Sequence, residues 1–230
     1  MTSTAVIGST GLVGSHILST LLGLPSVSTV HALARRQPIA TDTKLHPLVS
    51  ADTSNWASNL SSVTPPPSIL LSALGTTRAQ AGGLAQQRLI DYDLNLDVAK
   101  AAKAAGVKVY VLISSGSANS KSMMPYLKMK GELEDSVNAL GFDHTIILRP
   151  GLIVGGREDW RPTEFVIRKV AGVMGMMGSV LKDFWAQDAE VIANAAVSAG
   201  LKALEGGDVP KVWEVGQSEI IKLGRTEWKA

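Results

Sequence analysis

Thr4-Ala-Val-Ile-Gly8-Ser9-Thr10-Gly11-Leu12-Val13-Gly14 reads as a short apolar strand running straight into a glycine-rich turn and on into a helix. From Leu12 to Leu22 apolar residues recur at three- and four-residue spacing, the period of a helix with one buried face. The three glycines, spaced GxxGxxG, have separate mechanical roles. Gly8 permits a tight turn, Gly11 lets the backbone approach a pyrophosphate, and Gly14 lets the helix pack closely on the strand. Unpaired N–H groups at the start of the helix then face the phosphates, so Ser9, Thr10, Leu12 and Val13 are expected in the same dinucleotide-binding loop. Gly172, Gly175 and Gly178 repeat the spacing without a strand before them and read as packing.

Working outward, short apolar runs keep alternating with helical patterns. Val27–Leu33 is a second strand, and a weaker third lies near Leu45–Val49, where Pro47 marks an edge. Ser68–Ser72 is a fourth, after the stiff run Thr64-Pro-Pro-Pro67. One long helix is expected over Leu84–Ala105, ended by Gly106, then a strand over Val107–Ile113. A helix over Lys128–Leu140 and a strand over Thr145–Leu148 complete the series. This alternation predicts an α/β fold, a Rossmann-type doubly wound parallel sheet. After Pro150 the pattern loosens into helices near Pro162–Val173 and Ala189–Leu204 and a strand over Lys211–Val215. Residues 1–230 are therefore expected to form one domain, with 1–150 as the dinucleotide-binding core and 151–230 as a small substrate-side extension.

Composition narrows the function classes. Of 230 residues 45% are apolar and 18% charged, as in a compact globular protein, and a net charge of +2 is too small to point to nucleic acid. There is no cysteine, which excludes disulfides, thiolate metal sites and a cysteine nucleophile. His16, His31, His46 and His144 show no ligand spacing, so no metal site is expected. An apolar run beginning by Ala5 leaves no room for a cleavable leader. No stretch reaches the roughly 18 uninterrupted apolar residues of a membrane span. The nearest, Val170–Leu181, reads as a buried or lid-like segment or a contact with a membrane surface.

The end of the second strand bears on which dinucleotide is held. An NAD-specific loop carries Asp or Glu about 20 residues after the glycines, bonding the ribose 2′-hydroxyl. Here the strand ends in Leu33-Ala-Arg35-Arg36 with no acid nearby. Two guanidinium groups match a 2′-phosphate in shape and charge, so NADP(H) is expected; a solvated basic turn is the alternative. Asp52, after the third strand, is placed to meet the adenine amino group or to serve as a surface or capping aspartate.

Ser114-Ser115 follows the fifth strand directly, where open α/β sheets bind ligands. Tyr126 comes eleven residues after Ser115, and Lys130 four residues later, one turn along the same helix face. A neighbouring ammonium favours a phenolate, so Tyr126 is expected to titrate nearer neutral than its usual value of about 10. A proton donor of that kind beside a nicotinamide would reduce a carbonyl. Serine and Tyr-x-x-x-Lys in this order resemble the short-chain dehydrogenase/reductase superfamily over the first 150 residues.

Ala73-Leu-Gly-Thr-Thr-Arg78, Tyr126-Leu-Lys-Met-Lys-Gly-Glu-Leu-Glu134, Leu148-Arg-Pro-Gly151 and Gly156-Arg-Glu-Asp-Trp-Arg-Pro162 resemble a narrower group. They are similar to the Tat-interacting-protein oxidoreductase family of atypical members, and most of all to its fungal branch, which includes a mitochondrial outer-membrane protein. The likeness reaches the segment Val212–Gly224 and implies an NADP(H)-binding Rossmann fold. It implies that Ser115 hydrogen-bonds a substrate carbonyl, Tyr126 donates the proton, and Lys130 holds the nicotinamide ribose and tunes Tyr126. Asn95, in Tyr92-Asp-Leu-Asn95, matches a helix asparagine that holds a proton-relay water, or is a plain surface residue. Ser114 is expected with the cofactor, Ala73, Leu74 and Gly75 beside its ribose, and Pro150, Gly151 and Leu152 against the nicotinamide. The segment Gly116–Pro125 is short for the extended superfamily branch and suggests an open or narrow pocket.

The resemblance implies an NADPH-dependent oxidoreductase of the carbonyl-reductase type acting on a small carbonyl substrate. The rival is an NADP(H)-binding regulatory or scaffold protein without turnover. The implied location is intracellular, either cytoplasmic or peripheral on the mitochondrial outer membrane. Trp160, Trp185, Trp213 and Trp228 read as packing residues, and Arg157 and Arg161 as partners of Glu158 and Asp159.

Overall fold

The structure is a computed structural model that describes residues 1–154 and 186–229. Its strands are β1 (Thr2–Ile7), β2 (Val27–Ala34), β3 (Leu45–Val49), β4 (Ile69–Ser72), β5 (Val109–Ile113), β6 (His144–Leu148), β7 (Leu152–Val154), β8 (Ala186–Asp188) and β9 (Val212–Val215). Seven of them form one sheet in the order β3-β2-β1-β4-β5-β6-β9, with every neighbouring pair parallel. The chain winds outward from β1 through β2 to β3, then returns to β4 and winds the other way. The order reverses between β1 and β4, and the crevice at their carboxyl ends is where sheets of this kind bind ligands. A short parallel pair, β7 with β8, lies beside it.

The central strands β1, β4, β5 and β6 are largely apolar on both faces because both are covered. On β1, Val6 joins one apolar cluster while Ala5 and Ile7 join the other. The first cluster packs strand residues such as Val30, Ile69 and Val111 against α1 (Leu12–Gly23) and α7 (Ala189–Leu204). The second packs Leu33, Leu70 and Leu112 against α2 (Trp56–Ser61), α5 (Asn95–Ala105) and α6 (Pro125–Ala139). Residues after 186 enter this same sandwich: α7 covers the sheet beside α1, and β9 extends it past β6. Gly200 on α7 permits that approach, since a methyl there would sit 3.2 Å from Val111.

Pro47 lies on an edge strand, as its missing N–H requires. Gly106 ends α5 in the left-handed conformation at φ 95°. α2 falls where no helix is expected, and two of the expected helices differ in course. The long helix over 84–105 is interrupted: α4 (Leu84–Arg88) passes into a π-helical turn, Leu89–Leu94, before α5. The Asn95 amide, donating to the carbonyls of Ile90 and Asp91, holds that turn open. The helix carrying Tyr126 starts three residues earlier than expected, because Pro125 fits the first helical position, where its missing N–H costs nothing. The expected helix over Pro162–Val173, the Val170–Leu181 segment, Arg157, Arg161, Trp160 and Trp185 lie outside the described residues.

Candidate functional site

The turn after β1 is built as the glycine spacing requires. Gly8 adopts φ +79°, and a methyl on it would fall 2.7 Å from the Ala73 carbonyl after β4. A methyl on Gly14 would come within 2.0 Å of the Gly8 carbonyl oxygen, so α1 can lie on the turn only without one. The Gly11 N–H closes the turn by donating to Gly8 at 2.9 Å. No side chain caps the start of α1, which leaves its first N–H groups for a ligand. The Ser9 hydroxyl is buried with no partner. Such an orphan, beside an uncapped helix start, fits a pyrophosphate acceptor. Thr10 is exposed at the tip of the turn. Leu12 and Val13 pack into the core, so only their backbone can serve the loop.

Arg35 and Arg36 are exposed just past the end of β2, next to this turn in the sheet. Asp52 is committed locally: its carboxylate accepts from the Ser54 amide at 3.0 Å and the Ser54 hydroxyl at 2.7 Å, which holds its pKa below the usual value. It therefore caps a turn, the second of the two roles its position suggested.

Ser115, Tyr126 and Lys130 come together at the carboxyl end of β5. Lys130 is only 4% exposed, and its ammonium donates to the Ile113 carbonyl at 3.1 Å. Tyr126, in the first turn of α6, is 40% exposed at the site mouth and interacts through its hydroxyl with Ser115. The expectation of a depressed phenol is corrected. Tyr126 lies above its ordinary value, because burial and the negative charge of Asp91 both raise it and outweigh the hydrogen bond with Ser115. Burial likewise lowers Lys130, while Asp91 and then Glu134 push it back up.

Two expected site residues are used elsewhere. The Ser114 hydroxyl donates to Glu134, which also holds Arg149 at 2.6 Å; Arg149 in turn reaches Glu214 at 2.6 Å. The Ser114 side chain is thus part of a buried network tying β5, α6, β6 and β9 together. Asn95 is fully buried, not a surface residue, and its side chain is spent on structure. Its oxygen accepts from Ser72, and its amide donates to the carbonyls of Leu74, Ile90 and Asp91, which leaves no donor for a relay water. Ala73 to Gly75 follow β4, held by that Asn95 bond and by the Ala73 N–H on Ile7 at 3.0 Å. Pro150 is buried with its carbonyl accepting from Gly116 at 2.8 Å, Gly151 donates to Gln187 at 3.3 Å, and Leu152 is exposed.

Sequence reasoning missed Asp91 and Gly131. Asp91 is 2% exposed, accepts from the Thr76 N–H at 2.7 Å, and lies in the π-helical turn. The polar first half of its helix concealed it as a surface residue. A methyl on Gly131 would overlap the backbone of Asn119 and Ser120, at 2.3 and 2.2 Å. That glycine lets the short loop after Ser115 lie flat on α6, pinned by the Asn119 N–H on Leu127 at 3.0 Å.

The sequence pattern of the HIM1 family matches residues 48–177. The chain is 57% identical to "Protein fmp52-1, mitochondrial" of Aspergillus terreus, over 98% of this chain and 100% of that one. It is 50% identical to "Protein fmp-52, mitochondrial" of Neurospora crassa, over 99% and 97% of the two chains. Among solved structures, a short chain dehydrogenase family protein from Francisella tularensis aligns with a TM-score of 0.67 at 13% identity, covering 95% of this chain and 98% of that one. The Bordetella bronchiseptica enzyme WbmH, solved with NAD+, also aligns at 0.67, with 15% identity over 94% of this chain and 75% of that one. At such identities the likeness is one of fold, a Rossmann-type parallel sheet. With a family pattern over more than half its length and relatives at least half identical end to end, the chain belongs to the HIM1 family, alongside the fmp52 proteins.

Proposed function

We propose that the protein is an NADP(H)-dependent oxidoreductase of the carbonyl-reductase type. The observation that carries this reading is the convergence of Ser115, Tyr126 and buried Lys130 at the carboxyl edge of the sheet that also carries the glycine turn. Bound there, NADPH supplies a hydride to a carbonyl carbon. Gly8 to Gly14 and the Ser9 hydroxyl hold the pyrophosphate, Arg35 and Arg36 the 2′-phosphate, and Ala73 to Gly75 with Lys130 the nicotinamide ribose. Pro150, Gly151 and Leu152 line the nicotinamide side. The Tyr126 hydroxyl, held protonated at neutral pH, gives its proton to the substrate oxygen, and Ser115 donates a hydrogen bond to the same oxygen. The raised phenol suits reduction, because the donor stays loaded across the physiological range.

The finer family placement, with the Tat-interacting-protein oxidoreductases, follows the resemblance in the sequence, while the reading of residues 1–230 as one domain follows the length of the chain and the alternation of its elements. The mitochondrial names of the relatives support a mitochondrial setting, and we place the protein peripherally on the outer membrane. Among the described residues no helix is long and apolar enough to cross a membrane.

The test is single-turnover NADPH oxidation across a panel of aldehydes and ketones, with Tyr126→Phe as control. A positioned general acid contributes about 10²- to 10⁴-fold, so the variant should lose at least about a hundredfold. An unchanged rate in Tyr126→Phe refutes the mechanism. Tight NADPH binding with no turnover on any carbonyl favours the rival, a nucleotide-binding regulatory protein.

A further inference from the structure

A lysine that is 4% exposed needs an anion close by, because an isolated ammonium is costly to bury. Lys130 has one hydrogen bond, to the neutral Ile113 carbonyl, and no ion pair within 4.0 Å among the described residues. Two carboxylates lie within electrostatic reach of it. Glu134, on its own helix, is already bound by Arg149 and Ser114. Asp91, on the π-helical turn packed against α6, has no cationic partner within ion-pair distance among the described residues. Its contacts are neutral: the Thr76 N–H at 2.7 Å and the Gln87 amide at 3.5 Å, with Gln87 itself fixed on the Thr76 carbonyl at 3.0 Å. Arg88, the nearest cation along the chain, turns away to Glu132 at 2.7 Å. Gly75 lies against the same carboxylate, since a methyl there would stand 3.8 and 4.0 Å from its two oxygens.

We propose that Asp91 is the counter-ion of Lys130 and a positioning residue of the site, holding the lysine charged while fixing the 75–76 backbone beside it. The positioning role rests on the reductase reading; the charge pairing does not. Asp91 thus couples the wall expected to hold the cofactor ribose to the helix carrying the proton donor. Tyr126 feels the same charge: the carboxylate opposes the lowering of Lys130 by burial and adds to the raising of Tyr126 by burial. Glu134 on α6 is the other titratable group facing Lys130, and its commitment to Arg149 makes it the smaller influence.

The experiment follows Lys130 directly, by NMR titration of a ¹³C-labelled lysine side chain assigned with Lys130→Arg, alongside NADPH affinity by fluorescence. Asp91→Asn keeps the shape and can still accept from Thr76 but removes the charge. It should move the Lys130 midpoint down by a unit or more, a tenfold change, and weaken NADPH. Asp91→Glu should restore both in large part. A Lys130 midpoint unchanged in Asp91→Asn overturns the proposal. If Asp91→Asn does not fold, the double variant Asp91→Asn with Lys130→Met decides. Removing both charges should recover folding if each was buried against the other, and no recovery overturns it. A shifted midpoint in a protein that reduces no carbonyl leaves the pairing in place and removes the reductase reading instead.

Discussion

Replacing Gly14 by alanine tests whether the glycine turn is a mechanical device. The new methyl would lie 2.0 Å from the Gly8 carbonyl oxygen and 2.7 Å from its carbon. Both are backbone atoms of the turn, so no side-chain rotation relieves the overlap; either α1 or the loop must move. Overpacking costs about 1–3 kcal/mol, and more where backbone is displaced, so we expect about 3 kcal/mol or above. Two glycines of the same segment give an internal scale. At Gly11 the methyl would meet the same oxygen at 3.1 Å, a strain that a few tenths of an ångström removes, for about 1 kcal/mol. At Gly23, at the end of α1, nothing lies within 4 Å, and alanine should be neutral or stabilising by about 0.4–1 kcal/mol. In a chain of this size each kcal/mol moves Tm by about 2–4 °C, so Gly14→Ala should melt about 6–12 °C lower. Urea and thermal unfolding followed by circular dichroism give the stabilities, and NADPH fluorescence gives the affinity, expected to fall with the displaced loop. A Gly14→Ala protein that melts within about 2 °C of wild type with unchanged NADPH affinity would mean that the turn does not depend on the missing methyl.

Three further outcomes are expected. Arg35→Ala with Arg36→Ala should weaken NADPH by about tenfold or more, some 1.4 kcal/mol, while NADH changes little; equal losses remove the 2′-phosphate assignment. Ser114→Ala takes a hydrogen bond from a buried carboxylate and should cost about 1–3 kcal/mol in urea unfolding with NADPH affinity preserved. A selective loss of NADPH binding would return Ser114 to the cofactor. The phenolate absorbance of wild type minus Tyr126→Phe should appear only above the ordinary tyrosine range, since burial and Asp91 both favour the protonated form. A transition near neutral pH contradicts the structure's electrostatics.

The helix start at Pro125 and the break at Leu89–Leu94 show where local reading reached its limit. Proline at the first helical position leaves a weak local signal, since the residues before it carry no capping side chain. The π-helical turn is held by Asn95 reaching back to carbonyls while its oxygen takes Ser72 on β4, and no helical period encodes that tertiary bond. Strand position alone does not separate Ser114 from Ser115, both directly after β5; only the resemblance gave them different roles. Consecutive residues there point different ways, and which one meets Tyr126 depends on where α6 lies.

Read on its own, the chain already displayed the order of the seven strands of the large sheet and of α1, α5, α6 and α7, the glycine turn at Gly8–Gly14 and the one-turn spacing of Tyr126 and Lys130. Those features are written in residue type and short-range period, and short-range period is what sequence displays. Only the folded chain brings α7 and β9 into the sandwich, seats the loop after Ser115 on Gly131, and carries the charge of Asp91 within electrostatic reach of Lys130. It also reversed the expected direction of the Tyr126 phenol. A pKa is set by every charge and every desolvated surface within reach, and Asp91 lies 35 positions from Tyr126 in the chain although it is close in space.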